Sequence, residues 1–260
     1  MTQFARRTIA AFALAALTAL AACVTSPTGR TQLNLVSSAQ MAQMGAAAFQ
    51  ELKQKTPASS NAQTNAYVQC VARSITNEIG GSWEVQVFES KDVNAFALPG
   101  GKIGVYTGLL KVTANQDQLA AVIGHEVAHV IAGHSAARAS NQMATQYGGA
   151  LAQILGAPAQ AVDMGAKAVM VGILLPYSRG DESEADILGQ QYMARAGFDP
   201  SQAAQLWVSM QARGAEKPPE FLSTHPSDST RISALQRNQA KVQPLYDQAR
   251  AAGKKPNCRA

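Results

Sequence analysis

The sequence predicts a mostly helical α+β domain with a small β-sheet beside one helix that carries two histidines. Three observations support this fold class. Apolar residues recur at helical spacing over much of the chain, three short segments near its middle alternate as strands do, and His-Glu-Val-Ala-His occupies residues 125–129. The chain of 260 residues is long enough to form one domain with a substantial core.

The N-terminal residues are typical of a bacterial lipoprotein signal peptide. Two arginines precede an apolar run over residues 9–22, which is too short to span a bilayer comfortably. The run ends in Leu-Ala-Ala-Cys, so Cys23 would become the lipidated first residue, and Val24 favours sorting to the outer membrane. We predict a signal peptide over residues 1–22 and a lipidated tether over residues 23–37. The alternative is a generic signal peptide that ends in a chance cysteine.

Residues 38–260 are predicted to form a single domain, which hydrophobic periodicity and turn residues divide into elements. The predicted helices lie near 38–55, 60–80, 115–140, 181–196 and 200–213, with a last helix that contains Arg231. The predicted strands are 83–89, 95–98 and 102–106. A proline-rich loop over residues 217–227 leads into the last helix.

Residues 142–176 are rich in alanine, glycine and methionine and carry few charges. A membrane hairpin, a buried helix pair and a mobile cover all fit that composition. Glycines at 148, 149 and 156 and Pro158 interrupt the segment, so it holds no continuous span of membrane length. We therefore expect a lid or helical hairpin next to the site.

The segment His-Glu-x-x-His is the strongest functional signal in the chain. On a helix, His125 and His129 lie one turn apart on the same face, so both imidazoles can reach a single metal ion. Glu126 lies off that face, where it can act as a general base towards water. Asn115 or Asp117 would cap the start of this helix. The alternative is a helix whose two histidines only pack or form hydrogen bonds.

A third ligand must come from elsewhere in the chain. The metzincin pattern requires glycine and histidine where this chain has Ala132 and Ser135, so that pattern is excluded. His134 is five residues past His129 and, on a continuous helix, would point away from the metal. We therefore interpret His134 as a polar or packing residue.

The better candidate is the acidic run at residues 182–186. Glu182 and Asp186 are four residues apart and share one face of a helix that starts after a Gly-Asp sequence. Glu182 can complete a two-histidine, one-glutamate site, and Asp186 can accept the outer N–H of a ligating imidazole. Glu184 faces elsewhere. A solvated helix N-terminus is the alternative interpretation.

Four motifs now stand in order: Asn-Ala-Phe-Ala-Leu-Pro-Gly-Gly at 94–101, His-Glu-Val-Ala-His at 125–129, Glu-Ser-Glu-Ala-Asp at 182–186 and Ser-Thr-His-Pro at 223–226. In these motifs the chain resembles the HtpX- and CAAX-protease-like zinc metallopeptidases, especially their BepA- and LoiP-like periplasmic lipoprotein branch. The resemblance covers roughly residues 35–240. No repeat of tetratricopeptide period follows it, which resembles the shorter members. It implies a zincin-type, gluzincin-like domain with one zinc ion per chain.

The resemblance also implies roles for individual residues. The expected zinc ligands are His125, His129 and Glu182. Glu126 would take the proton of the attacking water and pass it to the leaving amine. By resemblance, His225 or Arg231 would donate to the oxyanion. His225 is predicted to be a reversible fourth zinc ligand, and the alternative is a loop histidine that caps the following helix or meets solvent.

An extended substrate is expected to add to an edge of the sheet through main-chain hydrogen bonds, which suits a protease that acts on unfolded chains. The predicted edge strand consists of Gly101, Lys102, Ile103, Gly104 and Val105. By resemblance, the substrates are misfolded or stalled envelope proteins, and the outer-membrane assembly machinery is a candidate partner. A zinc-bearing chaperone and a structural lipoprotein with packed histidines stay open as alternatives.

Charge and cysteine content agree with a periplasmic location. Removal of residues 1–22 would take away two positive charges and lower the formal net charge from +5 to near +3. That charge is mild and no basic stripe is present, so we expect no nucleic-acid partner. Besides Cys23, the chain contains Cys70 and Cys258. In an oxidising periplasm two remaining cysteines favour a disulfide, with two unpaired thiols as the alternative.

Overall fold

The computed structural model describes residues 23–147, 177–213, 220–225 and 229–259. The predicted signal peptide and almost all of the predicted lid lie outside these residues, and those two predictions stay predictions. Within the part of the chain that the structure describes, no helix is both long enough and apolar enough to cross a membrane.

The described residues form a mostly helical α+β domain, as the sequence predicts. The helices are α1 (Ser38–Lys55), α2 (Ala62–Thr76), α3 (Thr107–Leu110), α4 (Gln116–Ile131), α5 (His134–Tyr147), α6 (Arg179–Arg195), α7 (Ser201–Arg213), α8 (Glu220–Thr224) and α9 (Ser229–Ala251). The strands are β1 (Cys23–Thr25), β2 (Thr31–Leu33), β3 (Glu84–Phe88), β4 (Ala95–Leu98) and β5 (Lys102–Tyr106). The predicted bounds of α1 and of the last two strands are confirmed.

Strands β3, β4 and β5 form one sheet in the order β3-β5-β4. Strand β5 is central, parallel to β3 and antiparallel to β4. The turn between β4 and β5 contains Gly100 and Gly101, both at positive φ. A Cβ on Gly101 would lie 2.1 Å from the carbonyl oxygen of Ser82, so this turn requires glycine.

The helix that carries the two histidines is shorter than predicted. Asn115 caps it, since its side chain accepts a hydrogen bond from the Gln118 N–H at 2.9 Å. The helix ends at Ile131, because Gly133 takes a φ of 72° and α5 then begins at His134 in a new direction. The prediction of one helix over residues 115–140 is therefore wrong.

Helices α4 and α6 cross in close contact at two glycines. A Cβ on Gly124 would lie 2.9 Å from the carbonyl oxygen of Gly189, and a Cβ on Gly189 would lie 2.8 Å from the main-chain nitrogen of His125. Residues 118–129 of α4 are all buried. This crossing brings the histidines of α4 next to the acidic residues of α6.

Helix α6 starts two residues earlier than predicted. Ser178 caps it, and Asp181 completes a capping box by accepting a hydrogen bond from the Ser178 N–H at 3.2 Å. The Gly-Asp sequence is therefore inside the first turn rather than before the helix. Glu182 and Asp186 still lie one turn apart on α6, as predicted.

The segment predicted to be a tether is partly folded against the domain. Strands β1 and β2 pair antiparallel around a turn in which Gly29 has a φ of 90°. The buried Gln32 side chain donates to the carbonyl oxygen of Ala132 at 3.1 Å, and the Leu35 N–H donates to Ser140 at 2.8 Å. The hairpin therefore rests on the end of α4 and on α5.

The C-terminal tail is fixed to the start of α4 and to α2. Cys70 and Cys258 form the predicted disulfide, with their Cα atoms 5.7 Å apart. Gln116 bonds to two residues of the tail: its side chain donates to the carbonyl oxygen of Pro256 at 2.9 Å and accepts from the Cys258 N–H at 2.8 Å. The tail thus holds the N-terminal turn of the helix that carries the two histidines.

Candidate metal centre

Four side chains with metal-binding atoms meet in the interior of the domain. The cluster consists of His125, His129, Glu182 and His225, and one ligand atom from each lies within 4.8 Å of the others. All four side chains are buried, with at most 4% of any residue exposed. They come from α4, from α6 and from the segment that follows α8. Three elements that are distant in sequence therefore build one site.

The hydrogen bonds of the outer ring nitrogens orient two of these histidines. Nδ1 of His125 lies 3.0 Å from a carboxylate oxygen of Asp186, which can only accept, so Nδ1 carries the proton. Nδ1 of His225 lies 2.9 Å from the hydroxyl of Thr224, which itself donates to the carbonyl oxygen of Phe221. In both rings Nε2 is then unprotonated, and its lone pair is directed into the cluster.

His129 is oriented by His134, a residue that the spacing of a continuous helix predicts to point away from the metal. Nδ1 of His129 lies 2.9 Å from Nδ1 of His134, and Nε2 of His134 lies 3.2 Å from the Glu184 carboxylate. Because the carboxylate accepts, His134 carries its proton on Nε2 and accepts from His129 at Nδ1. Nε2 of His129 is therefore also unprotonated and carries a lone pair.

Among the described residues, two buried polar atoms of the cluster have no hydrogen-bond partner, Oε1 of Glu182 and Nε2 of His225. Nε2 of His125 lies 3.0 Å from Nε2 of His129. Buried acceptors that face one another are costly unless a cation lies between them. Three imidazoles and one carboxylate are a donor set that zinc prefers. The residues present thus fit a zinc ion.

Burial sets the protonation of the free cluster. It lowers the pKa of His125, His129 and His225, so the imidazoles are neutral, as metal ligands must be. Burial raises the pKa of Glu182 to about 8, and the nearby Arg231 guanidinium only partly offsets this. A divalent cation favours the carboxylate form of a glutamate beside it.

Glu126 lies beside the cluster and not in it. Its buried Oε1 atom has no hydrogen-bond partner within the part of the chain that the structure describes, and it lies 3.4 Å from Nε2 of His225. Burial, and then repulsion from Glu182, raise the pKa of Glu126, while the main-chain N–H of Ala97 opposes that shift. A glutamate that can hold a proton here is suited to general base and acid chemistry.

Arg231 supports the cluster from the side of α9. Its guanidinium bonds to Asp186 through Nε at 2.7 Å and through Nη2 at 2.8 Å, and Nη1 lies 2.5 Å from Glu182. The same group lies over the ring of Trp207 at 3.9 Å. The predicted role as an oxyanion donor does not fit this position, because the guanidinium faces the two carboxylates of α6. Arg231 instead holds those carboxylates in place.

The strand beside the cluster is β4 and not β5. The predicted edge of residues 101–105 is wrong, since β5 is hydrogen-bonded on both sides and has no free edge. The Tyr106 N–H donates to the carbonyl oxygen of Asn94, so the main-chain groups of every second residue of β4 point to β5 and those of Ala95 and Ala97 point away from it. Among the described strands, none pairs with this other side of β4, its free edge. A cleft beside that edge is lined by residues 94–99, Glu126, Ser135, Tyr177, Thr224 and His225.

Comparisons with known proteins agree with this geometry. The model of Peptidase family M48 matches residues 58–239, which contain all four residues of the cluster as well as Glu126. The chain belongs to Peptidase family M48. As an M48 protein it combines the His-Glu-x-x-His helix with the glutamate of α6 in one domain.

Two curated relatives show how far the similarity extends. The chain is 37% identical to mitochondrial metalloendopeptidase OMA1 of Schizosaccharomyces pombe over 182 residues, 66% of this chain and 52% of that protein. It is 27% identical to the beta-barrel assembly-enhancing protease of Escherichia coli K12 over 236 residues, 85% of this chain and 48% of that protein. The chain thus spans about half the length of these relatives.

Two residues of this M48 site were missed by sequence reasoning. His134 was placed outside it because a continuous helix was assumed, and the break at Gly133 invalidates that helical geometry. Tyr177 stacks on His129 with ring centroids 3.8 Å apart and carries Arg138 over its ring at 3.6 Å. The only signal in the sequence for Tyr177 was its place just before the acidic run.

Proposed function

We propose that this protein is a zinc-dependent endopeptidase of the bacterial cell envelope that hydrolyses peptide bonds of misfolded or stalled envelope proteins. One observation carries the proposal: four buried ligand atoms converge within 4.8 Å, and the carboxylate of Glu126 lies beside them. The printed names of the relatives, a metalloendopeptidase and a protease, support the same reaction class.

His125, His129 and Glu182 would hold the zinc ion. The ion supplies Lewis-acid polarisation of the scissile carbonyl and activation of water at neutral pH. Asp186 keeps the proton of His125 on Nδ1, so that Nε2 is free to ligate. Arg231 offsets part of the negative charge of Asp186 and Glu182 and holds both side chains in one orientation.

Glu126 would act as the general base and then as the general acid. Its carboxylate takes a proton from the attacking water and later delivers that proton to the leaving amine. No group of the described residues forms a hydrogen bond with Oε1, so this atom is available for the first step. The Ala97 N–H holds the carboxylate towards the free edge of β4, where the substrate backbone would lie.

His225 would be a reversible fourth ligand in the resting enzyme. Its Nε2 atom belongs to the cluster, and its ring stacks on Phe221 with centroids 4.5 Å apart. A fourth protein ligand closes a zinc site, whereas catalytic sites keep one position open. Displacement of His225 would therefore open the site to water and substrate. The released imidazole could then donate to the oxyanion.

An extended substrate would add to the free edge of β4. Ala95 and Ala97 direct main-chain groups to that side, and the cleft between β4 and His225 borders them. Such pairing depends on the substrate backbone and reads few side chains. It therefore suits cleavage of unfolded segments.

The location in the envelope rests on the N-terminal sequence, whose Leu-Ala-Ala-Cys ends at Cys23. We propose that Cys23 carries the lipid, that outer-membrane sorting follows, and that the assembly machinery there is a partner. Intact-mass analysis of protein extracted from membranes should show an acylated chain that begins at Cys23. An unmodified Cys23, or a chain that starts elsewhere, contradicts the anchor.

Casein tests the proposed activity, because it is an unfolded protein that needs no specific recognition. The purified protein should bind one zinc ion and cleave casein, a chelator should abolish cleavage, and added zinc should restore it. Glu126→Gln is the matched control for a contaminating protease, since it keeps the ligands. A protein that binds zinc, leaves casein intact and prevents its aggregation would instead be a chaperone.

A further inference from the structure

The turn of the N-terminal hairpin contacts the metal centre through Glu184. Thr28 donates to one carboxylate oxygen of Glu184 from its hydroxyl at 2.6 Å and from its N–H at 3.3 Å. Arg30 donates to the other oxygen at 2.9 Å and to Asp181 at 3.0 Å. Glu184 itself is only 2% exposed. The turn therefore fixes both oxygens of a buried carboxylate.

Glu184 transmits this constraint to the cluster through one residue. Its carboxylate accepts from Nε2 of His134, and Nδ1 of His134 faces Nδ1 of His129 at 2.9 Å. His134 is completely buried. Asp186 has the equivalent position on the other histidine of α4, but it reaches His125 directly. The orientation of His125 thus depends on the Asp186 carboxylate, and that of His129 depends on the Glu184 carboxylate through His134.

We propose that His134 is a positioning residue for His129 and that the N-terminal hairpin, through Thr28 and Glu184, sets the zinc affinity of the site. The proposal rests on the proposed function in one respect, that His129 is a zinc ligand. A residue that accepts the Nδ1 proton of a ligating histidine fixes its tautomer and its ring orientation. The hairpin is then part of the metal centre and not a passive linker.

The hairpin has other anchors, which makes the proposal testable. Gln32 and the main chain of Leu35 attach it to α4 and α5 independently of Glu184. Removal of the Thr28 hydroxyl should therefore leave the hairpin in place while it weakens the hold on Glu184. Thr25 is an exposed threonine of strand β1 in the same hairpin and provides a matched control.

The first measurement is zinc affinity by competition with a chromogenic chelator, in the full-length protein. His134→Ala should weaken zinc binding by about 10- to 100-fold, as loss of such a partner commonly does. His134→Asn should bind more tightly than His134→Ala, because its amide oxygen can take the place of Nδ1 and accept from His129. A role in packing alone predicts no such rescue.

The second measurement tests the path to the hairpin. Thr28→Val should weaken zinc binding by about two- to tenfold, the usual effect of one lost hydrogen bond. Thr25→Val should bind zinc as the wild type does. In the His134→Ala background Thr28→Val should have no further effect, since the link to His129 is already absent.

The outcomes separate this proposal from the proposed function. If wild type and His129→Ala bind zinc equally, or neither binds it, the proposed metal site fails. The positioning role is tested once wild type binds zinc and His129→Ala does not. It is overturned if Thr28→Val, His134→Ala and His134→Asn then all bind zinc as tightly as wild type. Additive losses from Thr28→Val and His134→Ala would overturn the path through Glu184. Circular dichroism of the metal-free variants checks folding, and if His134→Ala does not fold, the same additivity test is made with His134→Asn.

Discussion

The Nε2 atoms of His125 and His129 lie 3.0 Å apart in the interior of the domain. Each ring has its Nδ1 proton engaged elsewhere, with Asp186 for His125 and with His134 for His129. Two lone pairs therefore face each other at hydrogen-bond distance, with no proton to share in the neutral rings. The two histidines would hold a zinc ion through these nitrogens, and such an ion would relieve the repulsion.

Loss of any one of the three expected ligands should remove stoichiometric zinc and activity together. His125→Ala, His129→Ala and Glu182→Ala each remove a ligand that the closed and the open site share, so only two protein ligands would remain whenever His225 is displaced. Metal content measured by atomic absorption, together with casein cleavage, checks this. Glu51→Ala, a surface glutamate paired with Lys55, should change neither quantity. Retention of full zinc and turnover in Glu182→Ala would show that the third ligand lies elsewhere.

Glu126→Gln should keep the zinc and the fold while peptide hydrolysis falls by at least about 10²- to 10⁴-fold. The amide occupies the same volume and leaves every ligand in place, but it cannot take the proton of water. The check combines zinc content, circular dichroism and single-turnover cleavage of a fluorogenic peptide. Substantial turnover that persists in a clean preparation of this variant argues against Glu126 as the base.

His225→Ala and His225→Arg should retain zinc, because three protein ligands remain, and should change basal proteolysis. We expect His225→Ala to raise it, since the resting site would then be open to water. Ser223→Ala, at an exposed position of the same segment, is the matched control and should behave as wild type. Wild-type activity and zinc affinity in both His225 variants would make this residue a bystander.

The disulfide should contribute about 2–5 kcal/mol to the free energy of unfolding. It joins Cys70 to Cys258 across a sequence separation of 188 residues, and the tail it holds covers Gln116 at the start of α4. Urea unfolding of the double variant Cys70→Ser/Cys258→Ser should show this loss, and reduced wild type should match it. Two titratable thiols in oxidised wild-type protein, besides Cys23, would contradict the pairing.

The local features of this fold followed from the sequence because they depend on near neighbours. The alternation of residues 84–88 and the spacing of apolar residues in α1 are properties of short windows. His125 and His129 share a face for the same reason, as do Glu182 and Asp186. Only the order of the motifs predicted that the histidine pair and the acidic pair meet. In the structure, the close contact of Gly124 and Gly189 brings the two pairs together.

The sequence by itself determined the helical class, the His-Glu-x-x-His geometry and which cysteines were available to pair. Only the tertiary structure decided that β4 is the described edge strand beside the cluster, because strand order depends on contacts between segments and no local pattern encodes it. Only the tertiary structure turned His134 into a partner of His129, because one positive φ at Gly133 redirects the chain. The burial of Glu184 against Thr28 likewise arises from residues 156 positions apart, whose meeting depends on the packing of the whole domain.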